Sequence, residues 1–336
     1  MSAGSGKIIY LEGFAGPGVY EGGEDGSPVV ALQTAVDHVL SSHLTEILFF
    51  FIEKDKNRAK LLSEVLKKRF PVLPKNMKYV VEGDAEFAPT FEHVLNELEK
   101  QGSRIAPTFA FLDPFGFSDM PMTLIVRLLK CNKCEVFVTL MAGFIRRFLD
   151  EPREPALNEL FGTEEWKECR DITNSDEKMR FLVGLYEKQL KSLGGAKYVR
   201  SFGMIAEYNQ IVYYLIYATK SLKGLEVMKD AMLKVDRTGS YKFSDITGFN
   251  QTYLDDFQNE PTWVQNAADV VYAKFRGKTV SHDEIYEFMV ADTPFPFKKL
   301  SILKNLEKNS PPKIVNVSNR KRVYTYPPGC SITFRK

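Results

Sequence analysis

Cysteine and histidine are scarce in this sequence, with four of each in 336 residues. The cysteines are Cys131, Cys134, Cys169 and Cys330, and only the first two form a C-x-x-C pair. A zinc site needs four ligands, and neither a second pair nor a nearby histidine completes the set, so the sequence predicts no metal centre. Reduced cysteines of this kind are typical of a cytoplasmic protein, which is the compartment we expect.

Long apolar segments and a strong overall charge are also missing. No apolar run approaches the ~20 residues that a membrane-spanning helix needs, and no secretory signal is visible, so we expect no membrane partner. The formal net charge is only +2. Residues 261–336 nevertheless contain 13 Lys and Arg against 6 Asp and Glu, whereas the rest of the chain is mildly acidic. A basic appendage on an acidic body favours a polyanionic partner for the appendage.

A glycine-rich turn follows the first predicted strand, Ile8–Leu11. Glu12 comes next and leads into Gly13–Gly18, where three glycines let the backbone turn tightly and approach a ligand closely. We expect a helix over Pro28–Leu40, with Ser27 as its N-cap. The order of strand, acidic glycine-rich turn and helix is typical of nucleotide-binding sites.

Two common nucleotide motifs are incomplete at this turn. The Walker motif needs Gly-Lys-Ser/Thr at the helix start, but Gly26-Ser27-Pro28 has no lysine. The dinucleotide motif G-x-G-x-x-G needs a third glycine, but Glu21 occupies that place. The remaining match is Phe-x-Gly-x-Gly over Phe14–Gly18, which is similar to the first motif of S-adenosylmethionine (SAM) methyltransferases. A plain structural turn is an equal alternative.

Four further apolar runs predict buried strands of a doubly wound α/β sheet. They are Thr45–Glu53, Met77–Val81, Thr108–Leu112 and Glu135–Met141. Because the carboxyl ends of parallel strands meet at one edge, Glu53 is placed where such folds hydrogen-bond ribose hydroxyls. The alternative for Glu53 is an acid favoured by the dipole of the following helix.

The third predicted strand ends in Glu82-Gly83-Asp84-Ala85. At the carboxyl edge of the sheet, Asp84 could accept a hydrogen bond from the exocyclic amine of adenine. A turn into the predicted helix Thr90–Lys100 explains the same residues equally well.

The fourth predicted strand leads into Asp113-Pro114-Phe115-Gly116-Phe117. The Asp113 carboxylate and the Pro114 carbonyl can accept hydrogen bonds from an amino group on a planar base, and a flanking phenylalanine can stack on the ring. This arrangement would aim the nitrogen lone pair at a methyl donor. The alternative is an Asp-Pro turn with two core phenylalanines.

The remaining patterns complete the predicted architecture. A polar helical insertion over about 146–195 precedes two strands, Tyr198–Met204 and Gln210–Tyr217, which form an antiparallel hairpin at the end of a seven-stranded sheet. A last helix follows over Leu225–Leu233. We therefore predict a Rossmann-like domain over 1–240, a linker over 241–260 and a second domain over 261–336.

Three helices and a hairpin are predicted in the last 76 residues, the pattern of a winged helix-turn-helix domain. The helices are Trp263–Phe275, His282–Val290 and Phe297–Glu307, and the hairpin strands are Ile314–Val317 and Val323–Tyr326, with a further strand at Ser331–Phe334. Phosphate contacts from the third helix and the hairpin tip would involve Lys298, Lys299, Lys304, Lys308, Arg320, Lys321 and Arg322. A solvated charged face that mediates protein contacts is the alternative.

The segments FAGPGVYEGGEDGSP, DPFGF and YNQIVYYLIYATKSLKGLEVMKDAM together resemble the three-Cys-motif partner family, from Ile8 to about Leu233. Its members look like class I SAM-dependent methyltransferases and are often followed by a winged-helix region. The resemblance implies that fold, SAM as cofactor, and an operon-encoded three-Cys-motif protein as partner. The chain departs from the family in having Glu12 where Asp is usual. It also has Asp-Pro-Phe-Gly where amino-methyltransferases carry Asp/Asn-Pro-Pro-Tyr/Phe.

The resemblance implies a SAM-dependent methyltransferase acting on an exocyclic amino group of a nucleic-acid base, DNA or RNA, with adenine N6 favoured. The implied cofactor-binding residues are Glu12, Phe14, Ala15, Gly16, Gly18, Glu53, Asp84 and Ala85. The implied catalytic residues are Asp113, Pro114, Phe115 and Phe117. Two alternatives stay open: an inactive methyltransferase-like protein that binds nucleic acid or recruits its operon partner, and a methyltransferase for a small molecule or a protein.

Overall fold

The computed structural model of the chain describes residues 6–117, 119–147, 149, 151–205, 211–235, 242–244, 262–295, 297 and 299–336. The chain divides into two compact units. The first comprises Met1–Ser201 and Ile211–Lys220, and the second comprises Phe202–Gln210 and Ser221–Lys336. Among the described residues no helix is both long enough and apolar enough to cross a bilayer.

The central sheet confirms the predicted seven strands with an antiparallel end. The strands are β1 (Lys7–Glu12), β2 (Glu46–Glu53), β3 (Met77–Gly83), β4 (Thr108–Leu112), β5 (Glu135–Leu140), β6 (Tyr198–Ile205) and β7 (Ile211–Thr219). Their spatial order is β3-β2-β1-β4-β5-β7-β6, and a short eighth strand, β8 (Lys242–Ser244), pairs with the end of β6. The first five strands run parallel, and β7 is antiparallel to β5.

Helices cover both faces of this sheet, which explains why β2 is apolar along almost its whole length. They are α1 (Ser27–Asp37), α2 (Lys56–Arg69), α3 (Phe87–Lys100), α4 (Met122–Lys130), α5 (Ala142–Ile145), α6 (Glu154–Phe161) and α7 (Ser175–Ser192). On one face, Leu32 of α1 and Leu62 of α2 pack in a cluster with Phe51. The cluster on the other face includes residues of α3, α4, α6 and α7. A strand that is buried on both sides has no solvent-exposed positions, so polar and apolar residues do not alternate along it. The sequences of the parallel strands are therefore continuous apolar segments.

The predicted insertion over 146–195 is a layer of the first unit. Helices α6 and α7 are joined by a 3-10 turn, Glu165–Asp171, whose Trp166 is fully buried. The indole nitrogen of Trp166 donates a 2.7 Å hydrogen bond to Asn158. Leu160 and Tyr186 join the same core as the sheet residues, so this segment stabilises the domain by burying apolar surface.

Among its described residues, the second unit contains four helices and a three-stranded antiparallel sheet, in addition to β8. In chain order the elements are α8 (Leu222–Val235), α9 (Thr262–Phe275), β9 (Thr279–Ser281), α10 (His282–Asp292), α11 (Lys299–Lys308), β10 (Ile314–Val317) and β11 (Ser331–Phe334). The sheet order is β10-β11-β9. Its apolar core includes Val271 of α9, Leu303 of α11 and Ile332 of β11.

The predicted strand over Val323–Tyr326 is wrong. These residues form a turn and an irregular segment, and the partner of β10 is β11. Tyr324 has φ of 59°, a left-handed conformation that an extended strand does not contain. Tyr326 turns inward, where its hydroxyl donates a 2.7 Å hydrogen bond to Glu307 of α11.

Helix α8 is bound to α10 through a buried lysine. The Lys229 ammonium donates to the carbonyl oxygens of Met289 (2.7 Å), Val290 (3.0 Å) and Thr293 (2.8 Å), at the C-terminal end of α10. A cation at this position stabilises the negative end of the helix dipole. Helix α8 thus groups with the second unit, although it falls within the predicted domain 1–240. Most of the predicted linker, 241–260, lies outside the described residues.

Candidate active site

The loop after β1 is held in a compact form by backbone hydrogen bonds and glycines. The Gly26 amide donates to the Gly18 carbonyl at 2.8 Å, closing the loop before α1. A Cβ at Gly13 would lie 2.7 Å from a Phe87 ring carbon and 2.9 Å from a Leu112 methyl, so only glycine fits this packing. Gly16 has φ of 65°, which favours glycine on conformational grounds.

Glu53 connects this loop to the start of α2. One carboxylate oxygen accepts a 2.7 Å hydrogen bond from the Gly16 amide, and the other accepts a 2.8 Å bond from the Asp55 amide. The residue is only 7% exposed. Each oxygen keeps a second lone pair, so the carboxylate can still accept hydrogen bonds from ligand hydroxyls.

Glu12 lies buried beneath the glycine-rich loop and is 1% exposed. It accepts hydrogen bonds from the Ser27 hydroxyl and, at 3.1 Å, from the Tyr10 hydroxyl. Burial raises the pKa of the Glu12 carboxyl to about 8. The predicted N-cap role of Ser27 is wrong, because Gly26 is the N-cap of α1 and the Ser27 hydroxyl bonds to Glu12 instead.

A cavity of about 430 Å³ opens at the carboxyl ends of β1, β2, β3 and β4. Five residues singled out from the sequence line it: Phe14, Glu53, Ala85, Pro114 and Phe115. The other lining residues are Gly13, Lys54, Asp55, Arg58, Glu86, Phe87 and Asp119. In open α/β sheets, ligands bind in the crevice outside the carboxyl ends of the strands, so this cavity is in the expected place.

The other predicted cofactor residues do not line this cavity. Ala15 is buried among core residues, and Gly16 and Gly18 shape the loop. Asp84 is exposed after β3 and has φ of 58°, a conformation that aspartate adopts more readily than most residues.

Only part of the Asp-Pro-Phe-Gly-Phe segment lines the cavity, and Asp113 does not. Pro114 and Phe115 line the cavity. Asp113 is exposed overall, yet packing around its carboxyl desolvates it and raises its pKa. Phe117 is buried in the core, with its ring centroid 6.0 Å from that of Phe144, so a stacking role falls to Phe115 alone.

Five charged residues of the cavity were missed from the sequence: Lys54, Asp55, Arg58, Glu86 and Asp119. Lys54 forms a 2.7 Å ion pair with Glu86. Arg58 lies in the first turn of α2, with its guanidinium carbon 5.8 Å from the centre of the Phe115 ring. No motif singles these residues out, although all five lie in segments that follow predicted strands.

A second cavity, of about 450 Å³, lies between α1 and the sheet. Its lining is mainly apolar and includes Tyr10, Phe49, Phe109 and Ala35. It is away from the strand ends and offers few polar groups for a nucleotide. Among the described residues no group of three or more His, Cys, Asp or Glu side chains is arranged to hold a metal ion.

The basic residues of the second unit have different surroundings. Lys304 and Lys308 of α11 have their ammonium groups 6.0 and 5.5 Å from the centre of the Tyr324 ring. Lys321 and Arg322 are exposed. Arg320, in contrast, is paired with Glu307 at 2.6 Å. Lys298 lies outside the described residues, and Lys299 begins α11.

No protein-family model matches this sequence, and no curated protein is significantly similar to it. The function therefore has to be inferred from the cavity, the charges around it and the strand order. These features are compatible with a Rossmann-like fold with a ligand site at the strand ends.

Proposed function

We propose that the chain is a SAM-dependent methyltransferase that acts on an exocyclic amino group of a nucleic-acid base, with adenine N6 favoured. The observation that carries this proposal is the cavity at the strand ends, which brings Phe14, Glu53, Ala85, Pro114 and Phe115 together. The strand order, with β7 antiparallel to β5, is the arrangement expected of a class I methyltransferase.

The charges of the cavity fit a cationic cofactor. Four acidic side chains line it, Glu53, Asp55, Glu86 and Asp119, against two basic ones. When bound, SAM supplies an electrophilic methyl group on a positively charged sulfur. In this proposal Glu53 binds the ribose hydroxyls through its remaining lone pairs, and the loop containing Phe14 encloses the methionine part.

The acceptor amine is held by the segment after β4. Asp113 lies at the exposed end of that strand and its carboxyl is partly desolvated, which strengthens a hydrogen bond to an N–H donor. The Pro114 carbonyl accepts the second N–H, and Phe115 is free to stack on the base because it is 89% exposed. Orientation of the nitrogen towards the methyl group supplies most of the rate enhancement.

The second unit would dock the nucleic acid. The element order α9-β9-α10-α11-β10-β11, with β9 and β10 on either side of β11, is compatible with a winged helix-turn-helix domain. The phosphate contacts are assigned to Lys304, Lys308, Lys321 and Arg322. Arg320 is left out of this set because it is paired with Glu307.

Cofactor binding is tested first by isothermal titration of the full chain with SAM and with S-adenosylhomocysteine. We expect both to bind, and we expect Glu53→Ala to weaken SAM by at least tenfold, since it removes about two charge-assisted hydrogen bonds to the ribose and loosens the loop. The matched control is Glu64→Ala on the exposed side of α2. Unchanged affinity in Glu53→Ala would remove the ribose assignment, and a folded parent that binds neither ligand would overturn the proposal.

If both bind, transfer of labelled methyl groups to DNA, RNA, proteins and small amines distinguishes the nucleic-acid substrate from the others.

Nucleic-acid docking predicts a specific dependence on salt. We expect the Lys304→Gln/Lys308→Gln double variant to bind DNA or RNA more weakly, and to lower the slope of log K against log salt by about one for each lysine that contacts a phosphate. Fluorescence anisotropy with labelled oligonucleotides at several salt concentrations measures this slope. Arg276→Gln, outside α11 and the loop that follows β10, should leave it unchanged. An unaltered slope in the double variant would remove these lysines from the interface.

A further inference from the structure

Two side chains from different elements meet at the mouth of the strand-end cavity. Phe115, on the loop after β4, is 89% exposed. Arg58, in the first turn of α2, has its guanidinium carbon 5.8 Å from the centre of the Phe115 ring. Both residues line the cavity. The mouth therefore presents an exposed aromatic ring with a cation over it.

Arg58 differs in its pairing from Lys54, the other basic residue that lines the cavity. Glu53 accepts hydrogen bonds from two backbone amides, and the Asp55 carboxylate accepts from the amides of Asn57 and Arg58 at the start of α2. Lys54 is paired with Glu86 at 2.7 Å. Among the described residues, no carboxylate lies within ion-pair distance of the Arg58 guanidinium. Arg58 is thus the cation of the cavity that is available to an anionic ligand.

The Phe115 ring is also available. A large apolar side chain this exposed has not been buried on folding, and its position at a cavity mouth suits it to stack on a planar group. Gly116, next to it, has φ of 112°, a conformation that other residues rarely adopt, so the loop geometry that presents the ring depends on glycine.

We infer that Arg58 and Phe115 together bind the target nucleotide, with the base stacked on the Phe115 ring and its phosphate bound by the Arg58 guanidinium. Arginine binds phosphate through a planar fork of N–H donors, and aromatic side chains stack on unpaired bases. The inference rests on the proposed function and narrows its substrate: the acceptor is recognised as a nucleotide with its phosphate rather than as an amine alone.

The test compares adenosine monophosphate with adenosine as ligands of the full chain saturated with S-adenosylhomocysteine, which keeps both probes out of the cofactor position. Affinities are measured by isothermal titration or by NMR shifts. We expect the parent to prefer the phosphorylated ligand by about tenfold, the effect of one charge-assisted contact. Arg58→Gln should bring this ratio close to one, and Arg58→Lys should retain part of it because the charge remains. Phe115→Leu should weaken both ligands by a similar factor, since it removes stacking and leaves the phosphate contact.

The matched control is Arg104→Gln, which removes an exposed arginine from the loop before β4, at the opposite end of that strand. It should leave the ratio unchanged. A parent without a preference for the phosphate, a preference that survives Arg58→Gln, or no binding of either probe would each overturn the inference while leaving cofactor binding intact. Failure of S-adenosylhomocysteine to bind would instead overturn the proposed function, and the inference with it.

Discussion

Replacing Lys229 with methionine is expected to destabilise the second unit by about 2–4 kcal/mol. Lys229 is 1% exposed, and its ammonium donates to three carbonyl oxygens at the end of α10. Methionine fills nearly the same volume, so the change removes the charge and the donors without opening a large cavity. The carbonyls of Val290 and Thr293 then lose a charged donor in a buried position, whereas the Met289 carbonyl keeps its 2.7 Å bond from the Thr293 hydroxyl.

The measurement is hydrogen exchange of peptides from α8 and α10, together with urea denaturation of the full chain. Exchange in residues 282–292 should accelerate, because the end of α10 is less stable without its cation. Lys223→Met is the matched control on the same helix: its side chain is 74% exposed and forms a surface ion pair with Glu226, so we expect a change within about 0.5 kcal/mol. If Lys229→Met exchanges as slowly as the parent in α10, the lysine does not hold the two helices together.

The sheet was predictable because each of its strands corresponds to a local pattern of apolar residues in the sequence. Runs such as Thr108–Leu112 are apolar, short and bounded by turn residues, and the structure has that strand with the same limits. The order of the elements then restricts the topology, since parallel strands need crossover helices. The antiparallel position of β7 follows from its short separation from β6, a hairpin signal that is also local.

Long-range contacts account for the features that could not be predicted. Ser27 has the residue type of an N-cap, but buried Glu12, 15 residues earlier, takes its hydroxyl. The segment after Arg322 has strand-forming residues, but the Tyr326 hydroxyl bonds to Glu307 on another element. In each case a side-chain hydrogen bond between residues distant in the sequence outweighs the local preference.

The candidate site was predictable where residues lie at a strand end or within two residues after it. Glu53, Ala85 and Pro114 all line the cavity for that reason. Alternation cannot tell which phenylalanine after Asp113 points inward, and the structure buries Phe117 and exposes Phe115. Arg58 has no motif of its own, because an arginine in the first turn of a helix is ordinary until the loop after β4 is seen beside it.

Replacing Glu12 with glutamine is expected to alter how stability depends on pH. Burial raises the pKa of this carboxyl from its usual 4.5 to about 8, so between these pH values the folded protein binds a proton that the unfolded chain has released. The free energy of unfolding of the parent therefore falls as pH rises through this range, by about 1.4 kcal/mol per pH unit from this group. Glutamine stays neutral at every pH, so this contribution disappears.

Urea denaturation of both proteins at several pH values measures the difference. Below the usual value of 4.5 the two should be similar in stability, because Glu12 is protonated in both the folded and the unfolded parent. Near pH 8 the Gln variant should be more stable, by a margin of about 2 kcal/mol or more. Glu64→Gln, at an exposed site on α2, should follow the parent at every pH. A constant difference between parent and Glu12→Gln across this range would contradict the raised pKa.

The same proton gives a test of the proposed cofactor site. If the ammonium group of SAM lies near Glu12, its positive charge favours the ionised carboxylate, so binding at neutral pH releases the proton. Titration heats measured in two buffers of different ionisation enthalpy should then differ for the parent and agree for Glu12→Gln. Affinity of the parent should also rise as pH approaches 8, because less work is needed to ionise the carboxyl before the cation binds. Equal heats in both buffers for the parent would mean that the cofactor's charge does not act on Glu12, and the glycine-rich loop would then enclose a neutral part of the ligand.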